Sequence, residues 1–555
     1  MPISRQPPRR RTAMAAARAL AMDLAAVTMA LAAAATLAIA LSTAAAPAFA
    51  ADDENEPLPE LGDSAERVLS PTQEKRIGDQ FRRQLFRDPA YIADPEINAY
   101  LNRLGAQIAA HASLRGVPIA VHLVQNPQLN AFAVPGGHIT FHTGLLLAAE
   151  NEDELAAVMA HEIAHISQRH LPRMVAKMEA SRLPAAAAIL ASIVVGGQAG
   201  LAGLTVANAA LLSNQLAYTR EFEREADAIG IRLLAESGYD PAAMAGFFGK
   251  LEGPSGLGDE GPEFLRTHPL SYTRIAEAEN RAADYPPRAR AGGREFFFIR
   301  AKIRALHTAN PRAEVEHFNR VLGGETGAPP ADQRDAAVYG LALVQWKLRQ
   351  FAAARATLQP LLDAGPAGAS AESAAGVTAG TADGASAGGA TAGAADAAAA
   401  GSAPGAAAAA ADMAVEIARA EIDRTAGDPA AAAARYAALA AAGPPPPWLA
   451  HYQAEALIDS GEPAAAKRII RRQLRRHKSM FTLYRPLAKS NAKLGLAAES
   501  HQATAEYHAA LGEYPAAISA LRRALAAAAP EGYLHDSITA RLTELEGVLK
   551  QQLQP

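Results

Sequence analysis

Five side chains in this 555-residue chain have the types and spacing for chemistry: His161, Glu162 and His165, then Glu223 and Asp227. Residues four apart share a helix face, so His161 and His165 can aim two imidazoles at one metal ion while Glu162 projects one step round towards a water on it. Glu223 and Asp227 are also four apart. A second helix can therefore supply a carboxylate ligand and, one turn later, a carboxylate that steadies a histidine ligand. Zinc suits such a set: three protein ligands leave a fourth position for water, whose pKa falls, and for polarising a peptide carbonyl. Glu162 would accept the water proton and pass it to the leaving amine. A bare His-Glu-x-x-His arises in a scrambled chain of this composition roughly once in fifty, so the surroundings must carry the reading.

They do. Residues 150–160 put Glu150, Glu152, Asp153 and Glu154 ahead of apolar residues at helical spacing, the pattern of a helix start. Upstream, residues 119–124 alternate and are rich in β-formers, and residues 131–141 resume after a turn, interrupted by Pro135-Gly136-Gly137. A small sheet is expected. Its later strand, with Gly137, His138 and Ile139, precedes the motif helix and is expected to bind an extended peptide by backbone hydrogen bonds.

The N-terminus has Arg5, Arg9, Arg10, Arg11 and Arg18, an apolar run from Leu24 to Leu41, then Ala48-Phe49-Ala50 before Asp52 and Asp53. This is the layout of a secretory signal over residues 1–50, cleaved after Ala50, with an uncleaved anchor as the alternative. The adjacent arginines also hint at twin-arginine export. With no cysteine in the chain, any metal is held by histidines and carboxylates, and a periplasmic location is expected. Removing residues 1–50 takes away five arginines and one aspartate and turns the formal charge from −4 to −8. Nucleic acid is therefore excluded as a partner. The remaining length calls for two or more domains, and 5% aromatics among many alanines points to helices packed through small residues.

The mainly α chain divides into a metalloprotease domain with the small sheet over residues 51–290 and helices thereafter. Pro184 to Leu212 is small and apolar with glycines in its middle, and is read as a buried or membrane-surface helical hairpin; membrane insertion and an ordinary loop-helix are the alternatives. Residues 291–364 and 413–555 read as repeat helices. Gly427-Asp428-Pro429, Gly461-Glu462-Pro463 and Gly495-Leu496-Ala497 recur at intervals of 34, the tetratricopeptide period, which implies a C-terminal α-solenoid. Between them, residues 365–412 collapse to Ala, Gly, Ser and Thr and are expected to be a disordered loop. Lys467, Arg468, Arg471, Arg472, Arg475, Arg476 and Lys478 form a basic helix face, read as solvated, with an acidic partner or lipopolysaccharide as the alternative.

Residues 130–137, reading N-A-F-A-V-P-G-G, the His161 to His165 motif and residues 219–227, reading T-R-E-F-E-R-E-A-D, occur in the order found in HtpX/CAAX-protease-like gluzincin metallopeptidases, which the stretch 65–285 resembles. Thr219 stands where many members have serine. The resemblance implies one Zn²⁺ per subunit held by His161, His165 and Glu223, with Glu162 as catalytic base and Asp227 as a supporting acid often taken as a proton donor. It also implies that His268, in Thr267-His268-Pro269-Leu270, is a lid ligand that fills zinc's open position; a satisfied turn histidine is the alternative. His138, His142 and His170 lack partners at ligand spacing and are read as satisfied or exposed histidines. A signal segment before such a domain and tetratricopeptide repeats after it are similar to family members of the bacterial envelope. They imply a periplasmic endopeptidase in outer-membrane protein assembly and quality control, with misfolded envelope proteins as substrates, the assembly machinery docked on the repeats and peripheral contact with membrane. A chaperone or assembly scaffold with latent proteolysis, and a membrane-embedded protease, are the rival readings.

Overall fold

The computed structural model describes residues 64–180, 220–252, 263–286, 288, 293–324, 327–365, 404–477 and 480–553. The expected signal segment, the Pro184 to Leu212 stretch and residues 366–403 lie outside them. Residues 63–555 form one compact unit.

The peptidase half begins with α1 (Ser64–Val68) and α2 (Pro71–Leu85). Ser70 and Gln73 close a reciprocal capping box at the start of α2, and Pro71 occupies a first-turn position where its missing amide costs nothing. Helix α3 (Pro95–Ala109) is capped by Asp94. Three strands follow: β1 (Ala120–Val124), β2 (Ala131–Val134) and β3 (His138–His142), in the order β1-β3-β2, with β1 parallel and β2 antiparallel to β3. Gly136 and Gly137, at φ 90° and 88°, make the reversal that splits residues 131–141 into two strands. Putting β3 in the centre corrects one expectation. His138 and Ile139 face Ala120 and Val121 on one side and Val134 and Ala133 on the other, and the Gly137 carbonyl accepts from the Ala120 amide. Gly137, His138 and Ile139 thus have no free edge for a peptide, because β1 closes against the side that a simple hairpin would have left open.

Helix α4 (Thr143–Ala148) leads into α5 (Glu152–Ser167), capped by Asn151 and carrying Glu152, Asp153 and Glu154 in its first turn. From Glu154 to His165 every residue of α5 is buried. It is enclosed by α3, β2, α7 (Arg220–Glu236) and α8 (Ala243–Glu252), with α6 (His170–Ala180) at its C-terminal end. Gly230 lets α7 and α8 crowd α5: a Cβ there would lie 2.7 Å from the Met244 methyl and 3.3 Å from the His161 amide. Helices α9 (Glu263–Thr267) and α10 (Tyr272–Ala282) complete this half.

Helix α11 (Arg294–His307) belongs to both halves. Phe296, Ile299 and Ile303 complete the peptidase core, while Phe298, Ala301 and Ala305 begin the next core. The division expected at residue 290 lies just before this helix, which both cores share. Then come α12 (Pro311–Gly323), α13 (Ala331–Lys347), α14 (Phe351–Ala364), α15 (Pro404–Thr425), α16 (Pro429–Ala441), α17 (Leu449–Asp459), α18 (Pro463–Arg476), α19 (Tyr484–Lys493), α20 (Ala497–Ala510), α21 (Tyr514–Ala527) and α22 (Tyr533–Leu553). From α15 onward each packs on its sequence neighbours. The start of α15 corrects a second expectation: residues 404–412 are helical, with Ala411 buried. Alanine has the highest helix propensity, so a run of it continues a helix whose later turns are fixed by packing.

Gly427, Gly461 and Gly495 are left-handed, at φ 102°, 86° and 74°. After each, the next amide donates to a carbonyl five residues back: Asp428 to Asp423, Glu462 to Leu457, Leu496 to Asn491. Each turn is thus a glycine C-cap repeated at the sequence period. The two halves are clasped by Lys302, whose Nζ lies 2.9 Å from Asp94, 2.6 Å from Glu96 and 3.5 Å from the Tyr452 hydroxyl. Phe86 stacks on Phe481 at 4.8 Å. No helix among the described residues is long and apolar enough to cross a membrane.

Candidate metal centre

Helix α5 presents His161 and His165 on one face, α7 brings Glu223 against them, and the turn after α9 brings His268. One ligand atom from each of these four buried residues lies within 4.8 Å of the others. His161 Nε2 is 3.0 Å from His165 Nε2 and 3.3 Å from His268 Nδ1. Glu223 Oε1 is 3.1 Å from His268 Nδ1 and 3.4 Å from His165 Nε2, and Oε2 is 3.5 Å from His161 Nε2. Four donors touching one central ion at 2.0–2.1 Å would be about 3.3 Å apart along the edges of a tetrahedron. The donor set, its spacing and its burial all fit zinc.

Glu162 is fully buried beside this cluster, 3.5 Å from His268 Nε2, with no aligned hydrogen-bond donor on either oxygen. Burial pushes its carboxyl above the ordinary glutamate value, while His268, His161 and the Ala133 backbone pull the other way. Such a group accepts a proton well. Burial also opposes charge on Glu223, but His268 and hydrogen bonds from the three histidines hold its carboxyl well below the usual range. Against the cost of burial, Asp227 and Glu223 raise His161 to about 10. In the metal-free site a proton on His161 balances the two acids. Burial drives His165 the other way, well below its ordinary value.

Asp227 Oδ1 lies 3.1 Å from His161 Nδ1, close but not aligned as a full hydrogen bond. Both of its oxygens sit in the fork of Arg274, which donates from Nε and Nη2 at 2.8 Å each. Arg274 Nη1 also lies 2.9 Å from Glu223 and donates to the Pro269 carbonyl at 2.8 Å. Engaged on both oxygens by Arg274, Asp227 lies against the His161 ring. Arg274, 2% exposed, is the buried counter-charge for both acids and the anchor of the turn that carries His268. Its role could not be read from the sequence, where nothing links it to residues 47 and 51 positions earlier.

Of the other predicted positions, His138 is drawn away from the cluster, stacked on His122 with ring nitrogens 3.0 Å apart. His142 packs edge-on to Phe132. His170 does not join the four converging atoms, but its Nδ1 lies 2.8 Å from His165 Nδ1.

Residues 95–282 match peptidase family M48. The chain is 37% identical to the β-barrel assembly-enhancing protease of Escherichia coli (strain K12) over 326 residues, which is 58% of this chain and 66% of that protein. To the protein of that name from Yersinia pestis it is 36% identical over 308 residues, 55% of this chain and 63% of the relative. Against the mitochondrial metalloendopeptidase OMA1 of Schizosaccharomyces pombe it is 33% identical over 180 residues, 32% of this chain and 51% of the relative. The chain thus spans slightly less than two thirds of the length of the first two relatives. The family match runs from the first residue of α3 to the last of α10, and it is this stretch, which carries every residue of the candidate metal cluster, that is similar to peptidase family M48.

Proposed function

We propose that this protein is a zinc-dependent metalloendopeptidase of the bacterial periplasm that acts in outer-membrane protein assembly and quality control, cleaving misfolded or stalled envelope proteins. The observation that carries the hydrolytic part is the convergence of His161, His165, Glu223 and His268 beside the buried carboxyl of Glu162, whose oxygens have no aligned hydrogen bond. Bound zinc supplies a Lewis acid that polarises a peptide carbonyl and lowers the pKa of water. Glu162 takes the proton of the attacking water and returns it to the leaving amine. Asp227 and Arg274 hold the His161 ring and the Glu223 carboxylate in place. The peptide lies along β2: Asn130 is bonded to His142, so by alternation Ala131 and Ala133 turn their backbone groups away from β3, towards the edge next to α5.

His268 sits in the position that substrate or water must take, its Nε2 near Glu162 and its ring stacked on Phe264 at 4.5 Å. The proposed resting state is closed, with His268 as fourth ligand, and opening moves the turn from His268 to Ser271. The glycine-capped helix pairs at a period of 34 support a tetratricopeptide solenoid that docks assembly partners and envelope clients. The place in outer-membrane assembly follows the name of the relatives that share the peptidase half. The closed site also favours a second reading, a chaperone or scaffold whose proteolysis is latent. Zinc content and casein cleavage of the wild type, Glu162→Gln and His268→Ala test these readings. The expected pattern is zinc in all three, activity abolished in the second and raised in the third. Full rescue of an envelope defect by Glu162→Gln would favour the scaffold, and a wild type that binds no zinc would end the peptidase reading.

A further inference from the structure

His170 and Glu225 form, we infer, a relay that fixes the ring of the zinc ligand His165 from behind, making them positioning residues for metal binding. This inference rests on the metal reading above. His165 turns Nε2 towards the cluster and Nδ1 away from it, onto His170 Nδ1 at 2.8 Å. A ligand nitrogen must offer a lone pair, so a neutral His165 bound through Nε2 carries its proton on Nδ1. That proton is donated to His170 Nδ1. The remaining proton of His170 then sits on Nε2, which faces Glu225 Oε2 at 3.3 Å. The chain of donation runs from His165 through His170 to a carboxylate on α7, two residues after the ligand Glu223.

The surroundings hold this line. Arg169, at φ 52°, is left-handed, a conformation rare for an arginine, and it is clamped by Glu74 at 2.7 Å and by the Leu69 carbonyl. This sharp turn between α5 and α6 folds His170 back against a residue five positions earlier, which no continuous helix would bring onto the same face. The His170 ring is fully buried and stacks on Phe222 at 4.8 Å, and Arg173 holds Glu225 at 3.0 Å. His161 is supported by one carboxylate; His165 reaches its carboxylate through a second imidazole.

The test measures zinc affinity of the full-length protein by chelator competition, the visible spectrum of the Co²⁺-substituted protein, and thermal stability. His170→Phe keeps the stack on Phe222 and removes both nitrogens, and the expected loss of zinc affinity is about 10–100-fold, with an altered cobalt spectrum. His170→Gln, whose carbonyl can accept from His165, should restore most of the affinity. Glu225→Ala should weaken binding less, and should add little to His170→Phe because the two act in series. Arg232→Ala, on the exposed face of the same helix as Glu225 and paired there with Glu236, should leave affinity and spectrum unchanged. Wild-type affinity and cobalt spectrum in a folded His170→Phe would overturn the relay. Should that variant fail to fold, wild-type affinity in Glu225→Ala, or a loss in Arg232→Ala as large as in Glu225→Ala, would overturn it. A wild type without zinc would instead remove the metal reading itself.

Discussion

The peptidase half and the helical half handle charge in opposite ways. Around the metal cluster Glu162, Glu223, Asp227 and Arg274 are each less than 5% exposed, and the Arg274 fork serves two acids at once. In the stack of helices, ion pairs such as Lys489 with Glu455, or Arg522 with Glu546, lie on the surface between neighbouring turns. Its cores are instead alanine-rich, with Ala454, Ala456, Ala503 and Ala505 buried among single large residues such as Tyr436. Buried charge without every partner is expensive, whereas solvated pairs contribute little. The peptidase half thus keeps its buried charge chiefly at this site and at the Lys302 clasp, and the helical half, apart from its buried Glu421 and Asp423, can change its surface at small cost.

The sharpest way to break this comparison is at the base. Glu162→Gln should lower casein hydrolysis about 10²–10⁴-fold with zinc content unchanged; residual activity close to wild type would show that another group moves the proton. Next is Arg274→Met, which leaves Glu223 and Asp227 with only the protonated His161 ring between them as counter-charge and should destabilise the metal-free protein by about 3–5 kcal/mol, read from urea midpoints. Zinc binding should release a proton, because the ion displaces the one that Asp227 and Glu223 hold on His161 at a pKa of about 10. Affinity should therefore fall about tenfold per unit as pH drops, measured by titration calorimetry in buffers of different ionisation enthalpy.

Acid should act on the fold itself. Burial lowers His122 to about 3 and His138 and His142 to about 4. The unfolded chain takes up protons below about 6.5 while these buried rings stay neutral, so the stability they contribute is whole above that pH. It is lost as pH falls towards 4 and then 3. Chemical denaturation from pH 7 to 4 checks the sign: a flat profile would contradict it. At the small end, Lys489→Ala should cost no more than about 1 kcal/mol. A loss as large as that of Arg274→Met would erase the distinction between the halves.

Much of the site could be read from linear spacing because its parts lie on single helices. His161 with His165, and Glu223 with Asp227, follow from a four-residue period, and the turns at Gly427, Gly461 and Gly495 from a repeat that needs the same left-handed cap each time. Strand order was not legible. Residues 137–139 read equally well as an edge or a centre, and only the parallel arrival of β1 from an earlier part of the chain decides between them. The sharing of α11 was hidden for a similar reason, since it has two apolar faces and a sequence does not say that each belongs to a different core.

The sequence by itself determined which groups are on offer: candidate ligand types, their pairing on two helices and the carboxyl of Glu162 beside them, all set by short-range helical geometry. The tertiary structure alone decided how those ligands are held. Arg274 reaches Glu223 and Asp227 from a later helix, His170 reaches His165 through a left-handed turn, and His268 closes the fourth corner from a distant loop. These contacts join residues that share no helical period, and they exist because a buried charge or lone pair must find a partner wherever the folded chain can bring one.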